Sequence, residues 1–304
     1  MNLKQRLLTT SANTTCATFM ACAISVLAVV ATTNSDATVI TTVRVGSVLT
    51  GNLDPQSCSQ DSAVGLAGCS LQDQTKGTGS KAGADAFASP GVLNVSVAVD
   101  LTSQFNINNN ANLKASGRAN AFASFTDAMT INAAGMAGQS GRLIGGFVVS
   151  GSANADVSGI LSANDSSGSV TYAGLFTLGS AQAGFQGNVR EDLVAGNVAT
   201  PAPNLVYVMD TPFVFGRPLA MVANFDISSD AVATRSYANP NLFVDSTASA
   251  TGDFGHTIYW GGITSIMDAL ANSIAFTVTS ESGVNYALAT VAPLTVPEPA
   301  GGAL

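Results

Sequence analysis

Apolar and polar positions alternate along much of this chain with a period of two. In "VLNVSVAVDL" (92–101), Leu93, Val95, Val97, Val99 and Leu101 fall on one side and Asn94, Ser96, Ala98 and Asp100 on the other. Successive residues of a strand point to opposite faces, so this pattern predicts a strand with one buried face. "VITTVRVGSVL" (39–49) sets Val39, Thr41, Val43 and Val45 against Ile40, Thr42 and Arg44 in the same way. In "NLKASGRANAFASF" (112–125) the apolar side is Leu113, Ala115, Gly117, Ala119, Ala121, Ala123 and Phe125, opposed by Lys114, Ser116, Arg118 and Asn120. So many small residues predict closely packed sheets or a strongly bent strand. Further strands are predicted at 129–131, 143–152, 157–161, 170–178, 205–209, 219–227, 257–263, 274–279 and 286–291. Turn-forming clusters separate them at 108–110, 164–168, 201–204, 239–241 and 281–285. One segment, "GITSIMDALANS" (262–273), spaces Ile263, Ile266, Met267 and Leu270 as a helix would, and reads equally as a strand followed by a turn.

Many short strands with regular turns predict an all-β fold, an antiparallel β-sandwich of jelly-roll-like form. No repeat of about 20–50 residues argues for a solenoid, although the richness in small residues leaves a β-helix as the other all-β form. Pro201–Pro203 is the only seam in the sequence, so a single domain is expected over 38–291.

The first residues change the picture from fold to compartment. Lys4 and Arg6 precede an apolar run from Ala17 to Ala31, and Ser35-Asp36-Ala37 supplies small residues at a cleavage site. This is the layout of an export signal, expected to span 1–37, with an earlier cut after Ala31 as the alternative. The apolar run is shorter than the ~20 residues that span a bilayer, which favours cleavage over anchoring. Charged residues make up 10% of the 304-residue chain, against about 25% in an ordinary globular protein. Net charge is −8, and cleavage after Ala37 would remove two positive charges and one negative charge, giving −9. The 11 basic residues are scattered, which argues against nucleic-acid binding, since neutralising phosphates needs clustered Lys and Arg. Cys16 and Cys22 lie in the signal, leaving Cys58 and Cys69 with ten residues between them in a polar, turn-rich stretch. Two cysteines in an exported chain allow one intramolecular pairing, so a Cys58–Cys69 disulfide is expected. With one histidine and two thiols, a four-ligand zinc site is not expected.

Candidate chemistry is sparse, and no catalytic residue or cofactor is assigned. His256, in "DFGHT", is the sole imidazole and reads as a polar residue before a strand. No G-x-S-x-G or H-E-x-x-H motif occurs. The nearest paired acids are Glu191 with Asp192 and Asp226 with Asp230, in turn-like sequence where solvated carboxylates are the default. Asp226, Asp230 and Asp245 are the candidates for a loop Ca²⁺ site, because such sites use carboxylates and carbonyls. Tyr259 and Trp260 in "TIYWGGI" are candidate sugar-stacking residues, although alternation sends one of the two inward. Tyr172 and Tyr237 are further aromatic candidates.

The stretch from Ala248 to the end resembles the closing part of PEP-CTERM proteins, exported proteins of Gram-negative bacteria sorted by exosortase. The matching residues are Asp253, Phe254 and Thr257; then Ser280, Ser282, Gly283 and Tyr286; then the sorting motif Val296, Pro297, Glu298 and Pro299. Upstream, "ANAFASFTDAMTI" (119–131) is similar to a strand common in such proteins, and His256 stands where relatives often carry Asn. The resemblance implies a non-enzymatic protein of the cell surface or exopolysaccharide matrix, with exopolysaccharide or surface glycans as partners. In the family a membrane helix and an Arg-rich end follow the motif, and a membrane transpeptidase, exosortase, cuts near it. Here Ala300–Leu304 follow it, so the expectation is a linker with a partial sorting signal over 292–304 and a secreted chain without a membrane anchor. A glycan-binding or adhesive module is the alternative function, and a secreted hydrolase comes third.

Overall fold

Alternation along 92–101 becomes a strand over that whole span, with Leu93, Val95, Val97, Val99 and Leu101 all buried. The computed structural model describes residues 37–49, 56–62, 67–74, 81–101, 114–159, 166–193, 196–199, 205–239 and 242–290, which belong to one compact unit. Among the described residues there are strands and turns but no helix. In chain order the strands are β1 (Thr38–Leu49), β2 (Gln56–Ser62), β3 (Ala67–Gln74), β4 (Lys81–Ser89), β5 (Val92–Leu101) and β6 (Lys114–Asn132). Next come β7 (Ser140–Val149), β8 (Ser152–Ser158), β9 (Ser167–Leu178), β10 (Ala181–Asp192) and β11 (Gly196–Ala199). The last five are β12 (Leu205–Val214), β13 (Pro218–Asn239), β14 (Leu242–Asp245), β15 (Thr247–Asp268) and β16 (Thr277–Ser280).

They form two antiparallel sheets packed face to face, a β-sandwich. The first sheet runs β11-β10-β9-β13-β6-β1-β2, with β14 on β13 and β16 on β6. The second runs β12-β7-β15-β5-β4-β3, with β8 on β15. β6 is the spine of the first sheet. β1 lies along one side of it from Thr38↔Thr126 to Leu49↔Ala115, and β13 along the other from Pro218↔Thr130 to Thr234↔Lys114. β15 holds the second sheet, pairing β5 on one side and β8, then β7, on the other.

Side-chain volume differs between the two flanks of the core. Towards β9, β7 and β12 the filling is aromatic. Phe147 of β7 stacks on Phe176 of β9 at 4.4 Å, and Phe225 of β13 meets Phe254 of β15 at 4.8 Å. Towards β1, β3 and β4 the filling is small: Ala82, Ala84, Ala86 and Ala88 from β4 face the valines of β1 and the alanines of β6. A Cβ added at Gly117 would stand 2.5 Å from Val99 Cγ1, so the sheets leave no room there for even one methyl. The tight packing expected for 112–125 is therefore present.

Of the two readings of 262–273, the strand followed by a turn is the one present: β15 runs on to Asp268, and the Asp268 carboxylate accepts from the amides of Leu270 and Asn272 in the turn. Other expectations need correcting. Residues 286–290 are not a strand, because the Tyr286 side chain turns into the core and other groups claim the local backbone. The cysteine stretch is not mainly turn: it forms most of β2 and β3. From Lys114 on, the predicted fragments at 112–125 and 129–131 are parts of one 19-residue strand, β6. The expected export signal up to residue 36, the 108–110 and 201–204 turns and residues 292–304 lie outside the described residues.

Candidate functional site

A buried polar cluster forms where the chain returns after β16. Asp127 occupies an odd-numbered position of β6, in line with Ala121, Ala123 and Phe125, and is 1% exposed. A carboxyl group in such a place is costly unless hydrogen bonds surround it. Asp127 accepts from the Ala128 amide at 2.8 Å, the Ser282 amide at 3.3 Å, the Tyr286 hydroxyl at 2.5 Å and the Ser282 hydroxyl. Burial, and then the hydrogen bond to Asp127, push the Tyr286 phenol well above its ordinary value, so it stays a donor.

Trp260 completes this clasp from β15. Its Nε1 donates to the Tyr286 carbonyl at 2.8 Å, and the two rings meet edge to face at 6.3 Å. Beyond Tyr286, the Thr290 amide donates to the Trp260 carbonyl at 2.8 Å, and the Thr290 hydroxyl donates to the Gly91 carbonyl at 2.7 Å. The Glu281 amide donates to the Ala128 carbonyl at 3.0 Å. Residues 281–290 are thus stitched to β6, to β15 and to the β4–β5 turn. Sequence reasoning missed Asp127 as a key residue, although an acid on the apolar side of a period-2 strand was the signal available.

Of the proposed sugar-stacking pair, Trp260 is 0% exposed and packs against Phe147 at 5.2 Å, so its faces are taken by the core. Alternation leaves Tyr259 on the outer face of the second sheet, half-buried, in register with Val148 of β7. Val148 in turn pairs Val206 of edge strand β12, which is 67% exposed. Tyr172 is buried and meets Phe254 at 5.3 Å, so it too is core. The side chains of His256, Tyr237, Asp245, Cys58 and Cys69 lie outside the described residues, as does the motif Val296, Pro297, Glu298 and Pro299.

The candidate carboxylates do not come together. Glu191 and Asp192 are neighbours on β10 and so point to opposite faces, and Asp192 is ion-paired with Arg190 at 3.3 Å. Asp226 and Asp230 share a face of β13 but sit four residues apart, roughly 13 Å along a strand. That exceeds the ~5–10 Å over which two acids flank a glycosidic bond. Asp230 is engaged by Arg118 at 2.5 Å. Asp226 lies between Phe122 and Ala173 of the neighbouring strands; desolvation raises its carboxyl above the ordinary value, while the Ile227 amide opposes the shift. Among the described residues, no group of three or more His, Cys, Asp or Glu is placed to hold a metal ion. What the clasp can do is mechanical: it fixes the chain up to Thr290 against the end of the sandwich. No family model matches the chain, and neither does any curated protein or solved structure.

Proposed function

We infer that this is a non-enzymatic exported protein of the PEP-CTERM type, working at the cell surface or in the exopolysaccharide matrix. The observation that carries the reading is the meeting of the separated segments on which the resemblance rests. Asp127 comes from "FTDAMTI", Ser282 and Tyr286 from "SESGVNY", and Trp260 follows "DFGHT"; in the fold they contact one another. Segments that form one clasp have a shared structural reason to occur together in one chain. A low-charge surface rich in Ser, Thr and Asn suits a hydrated polysaccharide, where hydrogen bonds and shape matter more than ion pairs. On the outer face of the first sheet, Thr171 and Ser228 hydrogen-bond at 2.7 Å, next to the Arg118–Asp230 ion pair.

The test is fractionation of the native host, with mass spectrometry of both chain termini in each fraction. The reading expects the chain outside the inner membrane, beginning after Ala37 or Ala31. Recovery in the inner membrane with its N-terminal segment intact would overturn it. A glycan-binding module is the second reading, favoured by Tyr259 in its row with Val148 and Val206. Under that reading Tyr259→Ala abolishes retention on an exopolysaccharide column without changing the thermal midpoint.

A further inference from the structure

We propose that Cys58 and Cys69 form a disulfide that joins the outermost strands of the two sheets, clasping the sandwich along its thin flank. β2 ends the first sheet and β3 ends the second, and the two strands lie against each other. Register places Cys58 opposite Val43 of β1 and Cys69 opposite Ala86 of β4. Val43 and Ala86 are both buried in the core between the sheets. Directly opposed residues of an antiparallel pair share a face. Both cysteines therefore hold core-face positions on strands that belong to different sheets.

Separation is the condition that decides whether the bond can form. Stacked sheets ordinarily lie about 10 Å apart, whereas a disulfide needs Cα atoms roughly 4.4–6.8 Å apart. On the aromatic flank the ordinary spacing would forbid the bond. On the cysteine flank the facing layer is Ala82, Ala84, Ala86 and Ala88, and Cα atoms of β2 and β3 approach within 8 Å. In the proposal it is this thin alanine layer that lets the sheet ends close to the distance the cross-link needs. In forming it, the two thiols give up two protons and two electrons as the S–S bond closes. The electrons and protons go to an exogenous disulfide such as oxidised glutathione, which is reduced to two thiols.

Export would supply the oxidant in the cell, so the test is arranged to separate the two ideas. The full chain is made in a reducing cytosol, purified with reductant, then exposed to oxidised glutathione and alkylated without denaturation. Peptide mapping is expected to find Cys58 linked to Cys69, with neither thiol alkylated. The thermal midpoint should rise on oxidation by on the order of 10 °C. Cys58→Ser, Cys69→Ser and the double variant should all match the reduced wild type, and their thermal midpoints should not move with the oxidant even though Cys16 and Cys22 still offer it thiols. Alkylation of both thiols in the folded, oxidised protein would overturn the proposal, as would an equal rise in the double variant. The mapping needs no variant, so it decides the matter even if the serine proteins fail to fold. A bond formed in vitro, in a protein that the host does not export, would sink the localisation and leave the cross-link standing.

Discussion

Thr41 stands in the inward row of β1 between Val39 and Val43, fully buried, and its hydroxyl has no hydrogen-bond partner among the described residues. A buried hydroxyl without a partner costs free energy that an isosteric methyl does not. Thr41→Val is therefore expected to stabilise the protein by about 1 kcal/mol in chemical denaturation, whereas the same change at the exterior Thr42 should do little. Asp226 shows the opposite balance, since its carboxyl is raised by desolvation beside Phe122 and Ala173. A folded pKa above the unfolded one means the protonated form favours the fold. Its contribution is full below the ordinary carboxylate range and is lost as pH rises through the raised value. The side chain reaches solvent, which keeps the effect small. Asp226→Asn should flatten the fall in stability between the ordinary carboxylate range and neutrality; a profile parallel to wild type would refute this.

Among the elements, β7 and β15 meet with little tolerance. A Cβ at Gly145 would lie 2.6 Å from the Trp260 ring and 3.0 Å from the Gly262 carbonyl oxygen. Gly145→Ala must push the indole away from the Tyr286 carbonyl it caps, at a cost of about 1–3 kcal/mol. A shifted Trp260 fluorescence, measured in the folded state, would report the displacement; unchanged emission and stability would count against it. Strands with large inward residues were legible in the sequence, and β5 matches to the residue. β4 was not, because its inward row is alanine, whose contrast with Lys81, Gly83 and Asp85 is too weak to register as alternation. The sequence pattern places the end of β13 near Ile227, since Ser228, Ser229 and Asp230 look like a turn, yet the strand runs to Asn239. In the fold Ser228 and Asp230 instead bond across to Thr171 and Arg118. The helical spacing in 262–273 arose from an irregular strand: register shifts between Trp260 and Ser265 reset the alternation. Of the clasp, Ser282 and Tyr286 were marked by resemblance, but contact with Asp127 depends on tertiary structure that no local pattern carries.

At the scale of the whole molecule, the clasp makes the last described residues part of the core. Asp127 and Tyr286 are 159 residues apart in sequence, so the burial of Asp127 is complete only once the chain to Tyr286 is in place. A chain ending before Ser280 would leave the Asp127 carboxyl without three of its four donors and without the side chain that covers it. Such a truncation is expected to lose cooperative unfolding, or to expose the apolar end of the sandwich to a hydrophobic dye. The same stitching holds the chain at Thr290, six residues before Val296. The most direct test of this account is a double-mutant cycle in chemical denaturation with Asp127→Asn, Tyr286→Phe and the pair. Direct contact in the core predicts a coupling of about 1–3 kcal/mol, with the double variant little worse than the worse single one. Strictly additive losses would contradict it, and residues 281–290 would then be an appendage to the sandwich and not part of its core.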